Sequence, residues 1–312
     1  MAEINTSMIK ELRERTGAGM SDCKAALVEA EGDIDKAVEI ILKKGIVKAA
    51  ARAGKVATEG EVRTWVSDDR TRGVIVEVNC QTDFVARGDD FKGFVGKVVD
   101  VAAGAAARGA TDLLVEKFPG SSDTVDTVRQ QMVAKTGENT VIRRWEALSV
   151  TSPSCVVHAY IHMGGKLAVL VTAEAPGAAA AKGAEFLGFV DNVAMQIAAM
   201  SPLVVRKDEI SPSLIEKQRE IFLAQVKEEG KPEASWPKII DGKVAKWLTE
   251  VTLLGQDNVW APGEGNIEKM CAALGKKLGG EVKIHRFFRF GLGEGIEKKT
   301  DDLAAEVAKL TS

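Results

Sequence analysis

Phe91-Lys-Gly-Phe-Val-Gly-Lys-Val98 returns 95 positions later as Phe186-Leu-Gly-Phe-Val-Asp-Asn-Val193. This recurrence decides the fold. Each stretch spaces its apolar residues by three and four, the pattern of a helix that buries one face. The same offset relates Val74-Ile75-Val76 to Val169-Leu170-Val171, and Trp65 to Tyr160. Three blocks in one register are a poor match for coincidence. Ahead of the first helix the period is two. Val62, Thr64 and Val66 alternate with Arg63, Trp65 and Ser67, Asp68-Asp69 mark a turn, and the apolar run Val74–Val78 follows. Two copies are too few for a solenoid. The expected fold class is therefore α+β, with a strand hairpin and following helices duplicated into a core of pseudo-symmetric halves.

On the N-terminal side, residues 1–45 read as three short helices. Met8, Ile9 and Leu12 form an apolar stripe after Thr6 and Ser7, stopped by Gly17. Ser21 is placed to cap a second helix carrying Leu27 and Ala30, ending at Gly32. Asp33 is placed to cap a third, with Ile34, Ala37, Val38, Ile41 and Leu42, stopped by Gly45. So small a bundle is expected to dock on something else. The Ala- and Lys/Arg-rich residues 46–57 read as a semi-helical linker. Beyond the second copy, Leu214, Ile221 and Phe222 run toward Gly230-Lys231-Pro232. Ser235-Trp236-Pro237 then restarts a helix with Ile240, Val244, Trp247, Leu248 and Val251, which suggests a short antiparallel coiled coil. The tail offers a strand over Val282–Phe290, the turn Gly291-Leu-Gly-Glu-Gly295 and a closing helix from about Asp301 to Leu310. The expected division is residues 1–54, 55–140, 141–285 with the helical hairpin at about 211–252, and 286–312.

Composition narrows the function classes. A net charge of −3 over 312 residues leaves no electrostatic footprint for nucleic acid at the level of the whole chain. The four cysteines, Cys23, Cys80, Cys155 and Cys271, form no CxxC pair, which fits a reducing compartment better than a zinc knuckle or a disulfide framework. No apolar run approaches the roughly 18 residues of a membrane span. Met1-Ala-Glu-Ile-Asn has neither the basic nor the apolar part of a leader, so a cytoplasmic location is expected.

There is no GxxxxGK[ST] loop, so direct nucleotide binding is not expected, and Gly291-Leu-Gly-Glu-Gly295 lacks the spacing and βαβ setting of a dinucleotide turn. His158 and His162 share a strand face, but no third metal ligand stands at a sensible spacing. No nucleophile–base arrangement is present, so neither an enzyme nor a cofactor or metal is expected.

The two copies differ at one place. Between strand and helix the first reads Asn79-Cys-Gln-Thr-Asp-Phe-Val85, whereas the second reads Glu174-Ala-Pro-Gly-Ala-Ala-Ala180. Small residues suffice to join the elements, so the first copy carries something extra. Thr82 or Asp83 caps a helix with Phe84 packed on the core, or Phe84 is an exposed anchor for a partner's pocket.

The chain resembles the bacterial elongation factor Ts family, the exchange factors of elongation factor Tu. The resemblance rests on Leu12-Arg-Glu-Arg-Thr-Gly-Ala-Gly-Met20 with Asp22-Cys23-Lys24, on Glu77-Val-Asn-Cys-Gln-Thr-Asp-Phe-Val85, on Tyr160-Ile161-His162 before Leu167-Ala-Val-Leu-Val171, and on Gly293-Glu-Gly-Ile-Glu297. It implies a ubiquitin-associated-like (UBA-like) N-terminal domain, a two-part core, a coiled-coil insertion and a C-terminal helical module. It also implies binding to GDP-bound and nucleotide-free elongation factor Tu, with Thr82, Asp83, Phe84 and Val85 inserted beside the nucleotide site to displace Mg²⁺. Phe84 would be the wedge, Asp83 would help hold the block, and Arg13, Met20 and His162 would make further contacts. The chain departs from the family at Gln256-Asp257-Asn258-Val259, where a Pro-Phe pair is commoner, and at Ser21, where many relatives have a second methionine. Residues 107–125 and 230–242 are longer than in short members. A protein-binding adaptor without exchange activity shares every feature except a working tip, and a nucleic-acid-binding module ranks behind it.

Overall fold

A computed structural model describes residues 4–230 and 232–297. Among these the chain forms two compact units, one of residues 4–63, 76–145 and 291–297, the other of residues 64–75 and 146–290. No helix among the described residues is long and apolar enough to cross a membrane.

The first unit begins with helices α1 (Thr6–Thr16), α2 (Met20–Glu29) and α3 (Ile34–Arg52). Asn5 caps α1 by accepting from the Met8 N–H at 3.0 Å, Gly17 ends it at φ 67°, and Asp33 caps α3 through the Lys36 N–H. Leu12, Cys23, Ala26, Leu27 and Ala37 are buried between them. Two boundaries differ from expectation. Helix α2 starts at Met20 with Gly19 as its cap, so Ser21 lies inside it. Gly45 does not stop α3, which runs on through most of the supposed linker to Arg52. A Cβ on Gly45 would lie 3.3 Å from the Ala134 Cβ, so this glycine serves close helix packing instead of a left-handed end.

Strands β1 (Glu59–Val66), β2 (Arg72–Cys80) and β3 (Val141–Ser149) pair in that order, and β2, in the middle, is buried from Gly73 to Cys80. Helices α4 (Asp83–Arg87), α5 (Asp89–Arg108) and α6 (Val125–Thr136) complete the first copy. The run read as apolar contains Glu77, whose side chain is 0% exposed. It survives burial because five hydrogen bonds reach its carboxylate. Arg143 Nη1 donates to both oxygens at 3.0 Å, Arg144 Nε at 2.6 Å, Asn79 Nδ2 at 3.1 Å and the Gly293 N–H at 2.8 Å. Gly293 must be glycine: φ is 69° and an added Cβ would meet the Thr58 carbonyl oxygen at 2.7 Å. The Gly291–Gly295 turn is thus a lock on Glu77. The closing helix expected at 301–310 lies outside the described residues.

The second copy repeats the plan. Strands β4 (Cys155–His162), β5 (Leu167–Glu174) and β6 (Lys283–Gly291) pair in that order, β4 and β5 antiparallel from Cys155 opposite Glu174 to His162 opposite Leu167. Helices α7 (Ala178–Ala181) and α8 (Ala184–Met200) follow β5. The starts of β5, α7 and α8 fall 95 residues after those of β2, α4 and α5. Phe91, Phe94, Val95 and Val98 are buried in one copy, and Phe186, Phe189, Val190 and Val193 in the other. Each such phenyl ring contributes about 1.5–3 kcal/mol on burial.

Helices α9 (Pro212–Glu228) and α10 (Trp236–Val251) form the expected hairpin, and α11 (Ile267–Leu278) precedes β6. The seam differs from expectation on its first arm. Ile215, Phe222 and Val226 pack against Ile240, Val244 and Leu248, while Leu214 and Ile221 stay exposed one position to the side. The Gln256–Val259 segment has an internal task. Buried Gln196 donates to Gln256 Oε1 and the Asp257 carbonyl at 3.1 Å each and accepts from the Val259 N–H at 2.9 Å.

Candidate partner-binding site

The block that distinguishes the two copies lies at the end of the buried strand β2. Thr82 is extended (φ −121°, ψ 154°), and its hydroxyl accepts from the Val85 N–H at 3.4 Å, capping α4. Ala86 turns inward and is buried, and Val85 is half-buried. Phe84 points the other way and is 82% exposed. Of the two alternatives left open for this block, both halves contain something true: Thr82 is a cap, and Phe84 is not in the core.

What fixes the block was not legible in the sequence. Glu138, 56 residues away, accepts from the Gln81 N–H at 3.2 Å, the Thr82 N–H at 2.9 Å and the Thr82 hydroxyl at 2.6 Å. Cys80 Sγ donates to the Thr82 carbonyl at 3.2 Å. Asp83 pairs with Arg87 one turn along the same helix at 2.8 Å, and both are well exposed. Such a pair stabilises little, about 0–1 kcal/mol. The block is therefore tied to the fold through Thr82, while Asp83 pairs within α4. Polar atoms are also buried close by in the sequence: Asn79 Oδ1, Gln81 Nε2 and Thr140 Oγ1 have no hydrogen-bond partner among the described residues. An exposed phenyl ring on so costly a footing is not something folding itself asks for.

The other singled-out residues are also on the surface. Arg13 is exposed on α1, and Met20, the first residue of α2, is 49% exposed beside exposed Ser21. In the second unit His162 is exposed at the end of β4. Its Nδ1 lies 3.0 Å from the Tyr160 hydroxyl and its ring stacks on Tyr160 at 6.0 Å. Ile161 and Met163 flank it, with Met163 74% exposed at φ 47°, so the histidine stands between two exposed apolar side chains.

The two histidines of β4 do different things. His158 is half-buried, with Nε2 2.9 Å from Asp191 Oδ1 and Nδ1 3.1 Å from Arg70 Nη1, while His162 faces solvent. Among the described residues one group has metal-ligand chemistry: Cys155, Glu174 and His285, with ligand atoms within 4.8 Å of one another. Three strands bring them together, which no sequence spacing could reveal. His285 Nε2 already pairs with Glu174 Oε2 at 2.9 Å, and burial, with help from the Glu174 charge, pushes the Cys155 thiol up. The group is a histidine–carboxylate hydrogen bond beside a thiol whose pKa burial raises.

The sequence profile of the family described as Elongation factor TS matches residues 81–294, from the base of the tip to the turn that locks Glu77. Elongation factor Ts of Clostridium perfringens is 44% identical over 310 residues, covering 98% of this chain and 99% of its own. Elongation factor Ts of a Nitratiruptor species is 45% identical over 305 residues, covering 98% of each. The chain belongs to the elongation factor Ts family. Elongation factor Ts of Clostridium botulinum, 42% identical over 311 residues and covering 98% of each chain, is a further relative of similar extent. Membership places the chain among the translation elongation factors.

Proposed function

We propose that this chain binds elongation factor Tu and speeds exchange of GDP for GTP, with Thr82, Asp83, Phe84 and Val85 as the wedge. One observation carries the reading: Phe84 is 82% exposed at the start of a capped helix whose cap residue a distant carboxylate holds. A partner pocket that covers the ring gains about 2 kcal/mol of apolar burial. It also receives a shape already ordered, so little binding energy goes into ordering the tip.

The action required is linkage, with no covalent step. In a GTPase, Mg²⁺ bridges the phosphate oxygens and is held by the phosphate loop's hydroxyl. A ring forced in beside these elements shifts them and weakens metal and GDP together. Whatever the factor does to GDP affinity, GDP does in return to factor affinity. GTP loading and a further ligand of the GTP form then release the factor for another round. Arg13 and Met20 on the three-helix domain, and His162 with its apolar flanks on the β4–β5 hairpin, are the secondary contacts in this reading.

The reading extends to architecture. The three-helix domain (1–54) is UBA-like, 55–140 and 141–285 are the core halves, the hairpin at about 211–252 is a short coiled coil, 286–312 is a C-terminal module, and the protein works in the cytoplasm. Copurification tests the partnership. The chain is expected to retain nucleotide-free elongation factor Tu tightly and the GDP-loaded form weakly. Equal retention of both forms would leave an adaptor without exchange activity as the better description.

A further inference from the structure

The turn Gly137-Glu138-Asn139, which joins α6 to β3, reaches in two directions. Glu138 takes hydrogen bonds from the Gln81 N–H, the Thr82 N–H and the Thr82 hydroxyl at 3.2, 2.9 and 2.6 Å. The next side chain, buried Asn139, donates from Nδ2 to the carbonyls of Ala53 and Lys55 at 3.3 and 2.9 Å, where the chain leaves α3. Helix α6 itself packs on α3, with Ala134 against Gly45. From its last turn Lys135 reaches Asp90 in the first turn of α5 at 2.7 Å.

We infer that Glu138 is the positioning residue for Phe84, and that Asn139 ties the same turn to the exit of the three-helix domain, so that tip and domain present one rigid surface to the partner. This rests on the reading of Phe84 as the wedge. The duplicated unit supplies the comparison. Helix α7 forms at the equivalent place after Gly177 with no side-chain cap, so a short helix here needs no clamp. The clamp accompanies the copy that carries the aromatic ring. A carboxylate accepting from two N–H groups and a hydroxyl makes charge-assisted hydrogen bonds, shorter and stronger than neutral ones. It fixes the cap residue, and through the cap the direction in which the second helical residue projects. A displacement of about 1 Å at such a contact is enough to cost a large factor in rate.

The test is GDP release from elongation factor Tu at saturating factor, for wild type, E138A, E138Q, F84A and the double variant E138A/F84A. Loss of the clamp is expected to lower the maximal rate about ten-fold in E138A. A smaller loss is expected in E138Q, whose amide oxygen can keep both N–H groups while its NH₂ donates to the Thr82 hydroxyl, so that only the charge assistance is lost. Because Glu138 acts through Phe84, E138A is expected to add nothing in the F84A background, whereas a merely structural role lowers the rate in both backgrounds. Thr82→Val keeps the volume and the two N–H bonds to Glu138 while deleting the 2.6 Å bond and, with it, the weaker 3.4 Å cap on the Val85 N–H. It gives a second reading, about a three-fold loss, should E138A fold poorly. A wild-type rate for E138A and T82V beside a slow F84A overturns the clamp and leaves the wedge standing. Additive losses in the double variant also overturn it. A wild-type rate for F84A removes the wedge, and the clamp's purpose with it.

Discussion

Phe84 and Ala179 occupy equivalent positions in the two copies of the duplicated unit, each the second residue of the short helix after the central strand, and both side chains are exposed. The fold accepts a methyl group at this place as readily as a phenyl ring. Phe84→Ala is therefore expected to change folding stability by less than about 0.5 kcal/mol, as for a surface substitution away from caps and networks. Urea denaturation checks this through its midpoint. A loss of about 2 kcal/mol or more, the scale of a buried ring, would mean that Phe84 packs on its own domain.

Glu77 is expected to behave in the opposite way. Its carboxylate is fully buried and holds Arg143, Arg144 and the Gly293 turn together. Glu77→Ala removes the buried counter-charge shared by two guanidinium groups, with Glu294 still 3.9 Å from Arg144 and each arginine about a quarter to a third exposed. Water moderates the penalty, so a loss of about 3 kcal/mol is expected, at the lower end for a broken buried pair. The same urea experiment measures it. An unchanged midpoint would show that the Gly291–Gly295 turn does not need this anchor.

Asp69 gives a pH prediction at the β1–β2 turn. The Ser67 hydroxyl, then the Thr71 N–H and hydroxyl, donate to its carboxylate and bring its pKa from 3.8 to about 2. A depressed carboxyl pKa stabilises the folded state above the unfolded value, and this contribution fades as pH falls from about 4 through 2. An NMR titration of the Asp69 carboxyl is expected to show a midpoint near 2, and Asp69→Asn is expected to remove that part of the acid sensitivity. A midpoint near 3.8 would contradict the turn geometry.

Cys271 is expected to be chemically inert. Burial, with a smaller push from Glu268, raises its thiol to about 12, so almost no thiolate exists at neutral pH. Mass-mapped alkylation of the folded protein at about pH 7.5, below the ordinary thiol pKa, is expected to leave Cys271 unmodified, and unfolding in urea to make it react. Rapid modification of the native protein would show that α11 opens locally.

Much of this fold was legible because its signals are local or periodic. The 95-residue register placed both buried helices and both central strands, and Gly17 and Asp33 announced their helix end and cap. Where two elements meet, the signal disappears. Gly45 has the look of a helix stop, yet it is a packing glycine whose reason is Ala134 on another helix. Helix α6 was not read at all, because Val125, Met132 and Val133 make too sparse a stripe among polar residues. Glu77 passed as one polar residue in an apolar run because its partners stand on β3 and beyond β6. At the tip, comparing the two copies singled out residues 79–85, and the family resemblance narrowed them to 82–85. Glu138 escaped the comparison, since the repeat register brings it to Glu233 in the linker between α9 and α10, outside the duplicated elements.

The central claim is that an exposed phenyl ring drives nucleotide from the partner. Its most direct measurement is stopped-flow release of a fluorescent GDP analogue from elongation factor Tu at saturating factor, comparing wild type with Phe84→Ala. With the fold of the variant intact, the maximal rate is expected to fall at least ten-fold, about 1.4 kcal/mol of lost barrier lowering. A variant that releases GDP as fast as wild type would contradict the wedge.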